Sequence, residues 1–495
     1  MRVLLDLCSV ILHIFSLPTV RLPAEDLYNL TKKSTAQSAR PNCAVLPKVI
    51  SLFISIIILS LSFLCFAFAG EIRNDRIVNA LTPTGSGVEK YVKSFGTDYA
   101  NAPTSPIIAE DYLIIFSGWK LYKLNKETGE EIASVKAEGR ITFTTVSPLY
   151  YDGVVYMQLD NGIVQAFDFE TLHPLWIYRD TIGGQALCPI RYDNGFIYTG
   201  FWDGETREAN YVCLNTIDPD PLLDSEEKQA EWTYAIPGGF YRAGCSFTDK
   251  YIVFGCDDGA RGTGASSRVT VLNKKTGEFV SSVDMLGDIR TDIVYDSEND
   301  AYYTATKSGC IYRFKIDRNN GKIYDLIEYN ASGSVTAAPV IYKNRLYIGA
   351  QNGTEGIFIV LEAKTLKEIY SDDLPGYPQA GMLVSRGYEN ETGKVYVYTT
   401  YNMKPGGVFV FEDSAGQTTP VKREVYSPPE NASQYCISQI VCDEEGTLYY
   451  KNDSGNIFAI ENGENKDNLK QLEILLRKIF SLFASIFGIF GKVFK

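Results

Sequence analysis

The 495-residue chain is 45% hydrophobic and 13% aromatic, with 33 Tyr and 26 Phe, a composition that builds a large core and suits strands better than helices. Its formal net charge of −13 is uneven: both ends are basic and the middle is strongly acidic, which argues against nucleic acid as a partner. Only His13 and His173 occur, so histidine-based catalysis and histidine-rich metal sites are not expected.

Residues 1–47 are unusual for a signal n-region and are read as lying upstream of the true translation start. Lys48 is followed by an uncharged run from Val49 to Ala69 that ends Ala67-Phe68-Ala69-Gly70. An apolar stretch with a small-residue A-x-A site predicts a signal peptide over 48–69, or a signal anchor if it is left uncleaved. Lys32, Lys33, Arg40 and Lys48 precede it, which places the remainder outside the cytoplasm either way.

From residue 88 the pattern is short period-two runs punctuated by Asn, Asp, Gly and Thr, the signature of antiparallel strands. The stretch 337–371 (AAPVIYKNRLYIGAQNGTEGIFIVLEAKTLKEIYS) reads as three strands and the start of a fourth. Its last turn, Thr365-Leu366, recurs as Thr128-Gly129, Thr171-Leu172, Thr216-Ile217, Thr276-Gly277, Asn320-Gly321, Ala415-Gly416 and Asn462-Gly463. A second turn recurs as Asn161-Gly162, Asp203-Gly204, Asp258-Gly259, Ser308-Gly309, Asn352-Gly353 and Ser454-Gly455. Four strands per repeat at this period, with eight anchors, predict an all-β, eight-bladed β-propeller over 88–461. The last unit, Gln439 to Ile460, contains three strands, and Val88 to Phe95 matches a fourth; the N-terminal strand is therefore expected to complete the last blade and close the ring.

An acidic insertion from Asp218 to Glu231 is expected to be a solvated loop, since it lacks the glycine and terminal glutamate of an EF-hand. Gly259 to Gly264 is glycine-rich without the Lys-Ser/Thr ending of a phosphate cradle and reads as a hairpin loop. From Asn468 onwards the period changes to three and four residues, predicting an amphipathic helix over 466–495. Its wide apolar face carries Leu472, Leu476, Ile479, Phe483, Phe487, Phe490 and Phe494, which suits the plane of a membrane interface; packing on the propeller and self-association are the alternatives. Seven cysteines follow Ala69, an odd number that leaves at least one unpaired. Cys436 and Cys442 are read as too far apart along one strand to bridge.

The phrases Leu124-Asn125-Lys126-Glu127-Thr128-Gly129-Glu130 and Leu272-Asn273-Lys274-Lys275-Thr276-Gly277-Glu278 resemble the repeat of quinoprotein-type, PQQ-like β-propellers. So do Phe169 to Trp176 and the strand openings Ser147-Pro148-Leu149, Cys188-Pro189-Ile190 and Ala338-Pro339-Val340. The family holds PQQ-dependent dehydrogenases and non-enzymatic scaffolds such as the propeller lipoprotein of outer-membrane assembly, and this chain is read as similar to the latter branch. A dehydrogenase of this kind implies a vicinal Cys-Cys pair, a stacking Trp, calcium ligands and an Asp base. No Cys-Cys pair occurs, so neither cofactor, metal nor catalytic residue is expected.

Residues at or just before the first strand of each blade face a propeller's axis. Here these include Gln185, Arg242, Arg290, Asp292 and Gln379, a set that could bind an anionic or polar ligand or line a wet channel, with Arg290 pairing Asp292. The expected role is an extracytoplasmic binding or scaffolding module at the cell surface, with a protein or glycan partner. A quinoprotein-type or polysaccharide-acting enzyme, and an envelope assembly factor, are the alternatives.

Overall fold

The recurring turn before each fourth strand is built by one side chain. Asn125 Oδ1 accepts the backbone N–H groups of Glu127 and Thr128 at 2.8 and 3.1 Å. Asn273 does the same for Lys275 and Thr276 at 3.0 and 3.3 Å, an Asx turn that reverses the chain locally. The turn closes on a residue with positive φ. Gly277 (φ +71°) sits there because an added Cβ would lie 2.7 Å from the Trp232 ring of the preceding blade. Leu172 and Leu366 adopt φ 57° and 56° at the matching positions. That conformation costs a non-glycine residue about 1–2 kcal/mol, and full burial of each leucine returns about 1.5–3 kcal/mol.

The computed structural model describes residues 76–96, 104–143, 146–261 and 265–463. Its strands form eight sheets, antiparallel but for one added parallel strand on each of two of them. Blade 1 is Ile107–Ala109, Tyr112–Ser117, Lys120–Asn125 and Glu131–Lys136. Blades 2 to 7 follow in chain order, opening at Leu149–Tyr151, Arg191–Asp193, Ser246–Phe247, Val294–Asp296, Val340–Tyr342 and Leu383–Ser385. Blade 8 takes Val441–Cys442, Leu448–Lys451 and Asn456–Glu461 from the C-terminal side, and Val88–Ser94 pairs antiparallel with its last strand. The ring is thus an eight-bladed propeller closed by the N-terminal strand, as the repeat predicted.

Blade 6 shows how period-two alternation builds the core. Tyr347, Phe358, Val360 and Tyr370 pack on blade 7. Their neighbours Leu346, Ile348, Ile359 and Leu361 pack on blade 5. Both faces of the sheet are covered, so its central strands read as nearly continuous apolar runs. The same arrangement joins every neighbouring pair of blades, including blade 8 to blade 1 through Ile457, Ala459, Leu113 and Ile115. Outer strands staple to the next blade by hydrogen bonds: Trp232 Nε1 donates to the Lys274 carbonyl at 3.0 Å, and the Tyr91 hydroxyl to that of Lys126 at 3.0 Å.

Three readings change. The insertion after Thr216 is not wholly a solvated loop: Glu226–Lys228 pairs parallel with Pro174–Arg179 as a fifth strand on blade 2. It covers that blade's open edge, and Lys228 lies over the Trp176 ring at 4.7 Å. The propeller also starts earlier than Val88, because Ile77–Val78 pairs parallel with Leu383–Ser385 of blade 7. Cys436 precedes the strand Val441–Cys442 instead of sharing it, and all seven cysteines of the described residues are free thiols. The signal segment, the glycine-rich stretch 262–264 and the expected tail helix with its seven apolar residues lie outside the described residues. No helix among the described residues is long and apolar enough to cross a membrane.

Arg345 of blade 6 reaches Asp413 of blade 7 at 3.0 Å, and the Tyr347 hydroxyl donates to the same carboxylate at 2.7 Å. Asp413 is fully buried. Breaking one partner of a buried ion pair leaves the other charge uncompensated. Asp413→Ala should therefore lower unfolding stability by about 3–5 kcal/mol in urea titrations; a loss under about 1 kcal/mol would show that the tie between blades 6 and 7 is apolar alone.

Candidate functional site

The eight first strands converge on the axis and border a cavity of about 70 Å³ that is partly open to solvent. All eight blades contribute to its wall, from Ser105 of blade 1 to Gln439 of blade 8. Its chemistry is set by guanidinium groups. Arg191 opens the first strand of blade 3, Arg242 precedes that of blade 4, and Arg76 enters from the N-terminal segment beside blade 7. Gly381 makes room for Arg76, since an added Cβ there would lie 2.5 Å from its Cζ.

Asp292 of blade 5 bridges two of these groups. Its Oδ2 accepts Arg76 Nη2 and Arg191 Nη2, each at 2.6 Å. Burial pushes the Arg76 guanidinium below its ordinary value, against the pull of Asp292. Arg242 is 7% exposed and has positive φ, 57°, a conformation uncommon outside glycine. It donates to the Gln379 carbonyl and Oε1 at 3.2 Å each, and to Thr336 Oγ1 at 3.4 Å.

Of the residues expected on the axis, Arg242, Asp292 and Gln379 meet in this cavity. Gln185 does not; it is exposed and forms an isolated bridge with Trp202. Arg290 does not either, and it does not pair with Asp292. Its Nε and Nη2 take Asp257 at 2.9 and 2.6 Å, and Asp288 lies 3.3 Å from Nη2. Its guanidinium also stacks on Tyr241 at 4.4 Å. The segment Asp288 to Ile293 precedes its strand, which begins at Val294, so residues two apart need not share a direction. Sequence reasoning missed Arg76 and Arg191; Arg191 follows the quoted Cys188-Pro189-Ile190 opening and was findable by phase.

Arg290 belongs to a second buried cluster. The Trp202 indole donates to Asp257 Oδ2 at 2.9 Å. Burial pushes the Asp257 carboxyl up to about 7, while Arg290 and Trp202 pull it down. Among the described residues no group of three or more His, Cys, Asp or Glu converges to hold a metal ion.

A family model described as outer membrane protein assembly factor BamB matches residues 76–194. Among solved structures, BamB from Moraxella catarrhalis superposes with a TM-score of 0.50 at 14% identity, covering 75% of this chain and 100% of that one. Quinohemoprotein alcohol dehydrogenase from Comamonas testosteroni gives 0.56 at 12% identity, covering 78% of each chain. The computationally designed Ika8 protein gives 0.52 at 15% identity, covering 74% of this chain and 98% of that one. No curated protein matches in sequence. The fold is that of a PQQ-like β-propeller. Identities this low carry the architecture and no activity, because unrelated functions share such folds.

A quinone would sit on the axis of such a disc. The residues here do not fit one. Drug-sized ligands occupy roughly 300–1,000 Å³, against about 70 Å³ in this cavity, and Arg76, Arg191 and Asp292 fill the centre with their own ion pairs.

Two outcomes follow. Asp292→Asn removes the charge that two guanidinium groups share, so unfolding stability should drop by about 3–5 kcal/mol; a change below about 1 kcal/mol would mean the arginines are hydrated. At Asp257 the folded value, about 7, lies above the free value of 3.8. Its contribution is complete below about pH 4 and lost as pH rises through about 7. Tryptophan fluorescence should show a step near pH 7 that Trp202→Phe or Asp257→Asn removes; a step that survives both changes belongs to another group.

Proposed function

We propose that this chain is a non-enzymatic, extracytoplasmic propeller that binds extended segments of partner proteins in the cell envelope. The observation that carries the reading is the pair of open outer edges on blades 4 and 5. Phe279–Leu286 and Ile323–Asn330 are eight-residue strands at the ends of their sheets. They present Phe279, Leu286, Tyr324 and Leu326 to solvent. A flat edge with unpaired backbone groups and apolar side chains is a template for another strand. The chain already uses this chemistry on itself, where Glu226–Lys228 adds to the outer edge of blade 2.

Four further points support the reading. The matching family model and the Moraxella catarrhalis structure are named for BamB, and the family model's name is that of an outer membrane assembly factor. The expected signal segment 48–69 directs the propeller out of the cytoplasm. An axial cavity of about 70 Å³ held by ion-paired arginines favours this reading over the dehydrogenase branch. The basic, Phe-rich tail 466–495 would hold the disc at a membrane surface.

Full-length protein titrated with fluorescent extended peptides of alternating apolar and polar residues should bind them. Phe279→Lys with Leu286→Lys should weaken binding at least tenfold with no change in thermal midpoint. Equal affinity for both forms would sink the edge-binding reading. In parallel, PQQ with calcium should not quench the intrinsic tryptophan fluorescence. Saturable micromolar quenching with dye-linked alcohol oxidation would make the protein a quinoprotein enzyme instead.

A further inference from the structure

We propose that the axial cavity is a binding site for one small monovalent anion, a carboxylate or a halide. The inference is independent of the edge-binding reading.

The first observation is a charge imbalance. Arg76, Arg191 and Arg242 line the cavity with a single acid, Asp292. Asp292 answers Arg76 and Arg191 together. Arg242 makes no ion pair among the described residues; its partners are the neutral oxygens of Gln379 and Thr336. Asp453 of blade 8 feels the field of Arg242 but lies outside the lining. The site therefore holds an excess of two positive charges inside a protein disc, and an uncompensated buried charge is costly unless it is paired.

The second observation is a pair of idle donors. Arg242 Nε and Arg76 Nη1 are buried and have no hydrogen-bond partner. Buried guanidinium N–H groups are normally satisfied, and both of these belong to side chains that line the same space. Arg242, more than nine-tenths buried, is held there on a backbone with positive φ. Such strained positions persist where the surroundings over-determine them, and they cluster at ligand sites.

Size selects the ligand. About 10–15 Å³ of such space is enough for one water, so about 70 Å³ has room for a few waters or for one small ion such as chloride or formate. Water would hydrate the guanidinium groups and leave the charge excess in place. An anion does both, accepting the idle N–H groups by charge-assisted hydrogen bonds.

The test is thermal unfolding of the full-length protein at constant ionic strength, with chloride, formate or the bulkier isethionate as the varied anion. Chloride or formate should raise the midpoint by about 3 °C and then saturate, and the stronger of the two identifies the site as halide or carboxylate. Arg242→Gln, and separately Arg76→Gln, should remove the saturable part. A rise that is linear in salt and equal in isethionate, or one unchanged in both variants, would overturn the site. Should the variants fail to fold, crystals of the unaltered protein soaked in bromide decide the matter: an anomalous peak beside Arg242 Nε supports the site, and an axis without one refutes it.

Discussion

No blade of this propeller has a core of its own. Each sheet is apolar on both faces and completes its packing only against the sheets on either side. Leu113 and Ile115 of blade 1 depend on Ile457 and Ala459 of blade 8 as much as on their own strand partners. The blades are therefore completed only as a closed circle, and the circle is finished where blade 8 meets blade 1. Val88–Ser94 closes that joint with backbone hydrogen bonds to Asn456–Glu461. Chain ends far apart in sequence meet in one sheet, which makes the two ends of the propeller a single cooperative unit.

The residues ahead of that strand secure the joint further. Gly87 donates to the Val425 carbonyl of blade 7 at 2.8 Å. The Tyr398 hydroxyl donates to the Pro83 carbonyl at 2.8 Å and lies 2.7 Å from the Thr82 hydroxyl, and Ile77–Val78 extends the inner edge of blade 7. Arg76 then ends the path on the axis. One continuous segment thus runs from the rim of the disc to its centre, fixing the closing strand at one end and occupying the channel at the other. The axis is thereby occupied by ion-paired side chains of the chain itself.

What was legible in the sequence was local. Asn125, Asn273 and their turn partners act within four residues of themselves, so the blade period could be read without the fold. Leu172 and Leu366 were legible by phase alone, because burial offsets their backbone cost and no glycine marks the turn. The strand Glu226–Lys228 was not legible: Glu-Glu-Lys has little strand preference of its own and pairs only because the edge of blade 2 lies open beside it. Ile77–Val78 is too short to carry a period. The axial site was half legible. Arg242, Asp292 and Gln379 follow from their place before first strands, but Arg76 reaches Asp292 across 216 positions, and no spacing rule reports that. Arg290 failed for a specific reason: a place just before a first strand was taken to aim the side chain at the axis, but Asp257 and Asp288 draw it elsewhere.

The two arginines of blades 4 and 5 show how one architectural position yields two chemistries. Arg290 finds Asp257 and Asp288 and becomes part of the scaffold, its charge matched and its plane stacked on Tyr241. Arg242 also lies over the Tyr241 ring, at 5.6 Å, but finds only an amide, a carbonyl and a hydroxyl for its N–H groups. The difference lies in neighbours supplied by loops, since both residues precede the first strand of their blade. Where such a loop supplies a carboxylate, the position adds rigidity; where it supplies none, the guanidinium keeps an unspent charge on the axis. A repeat fold can in this way hold its frame constant while loop residues decide whether the charges at its centre are matched.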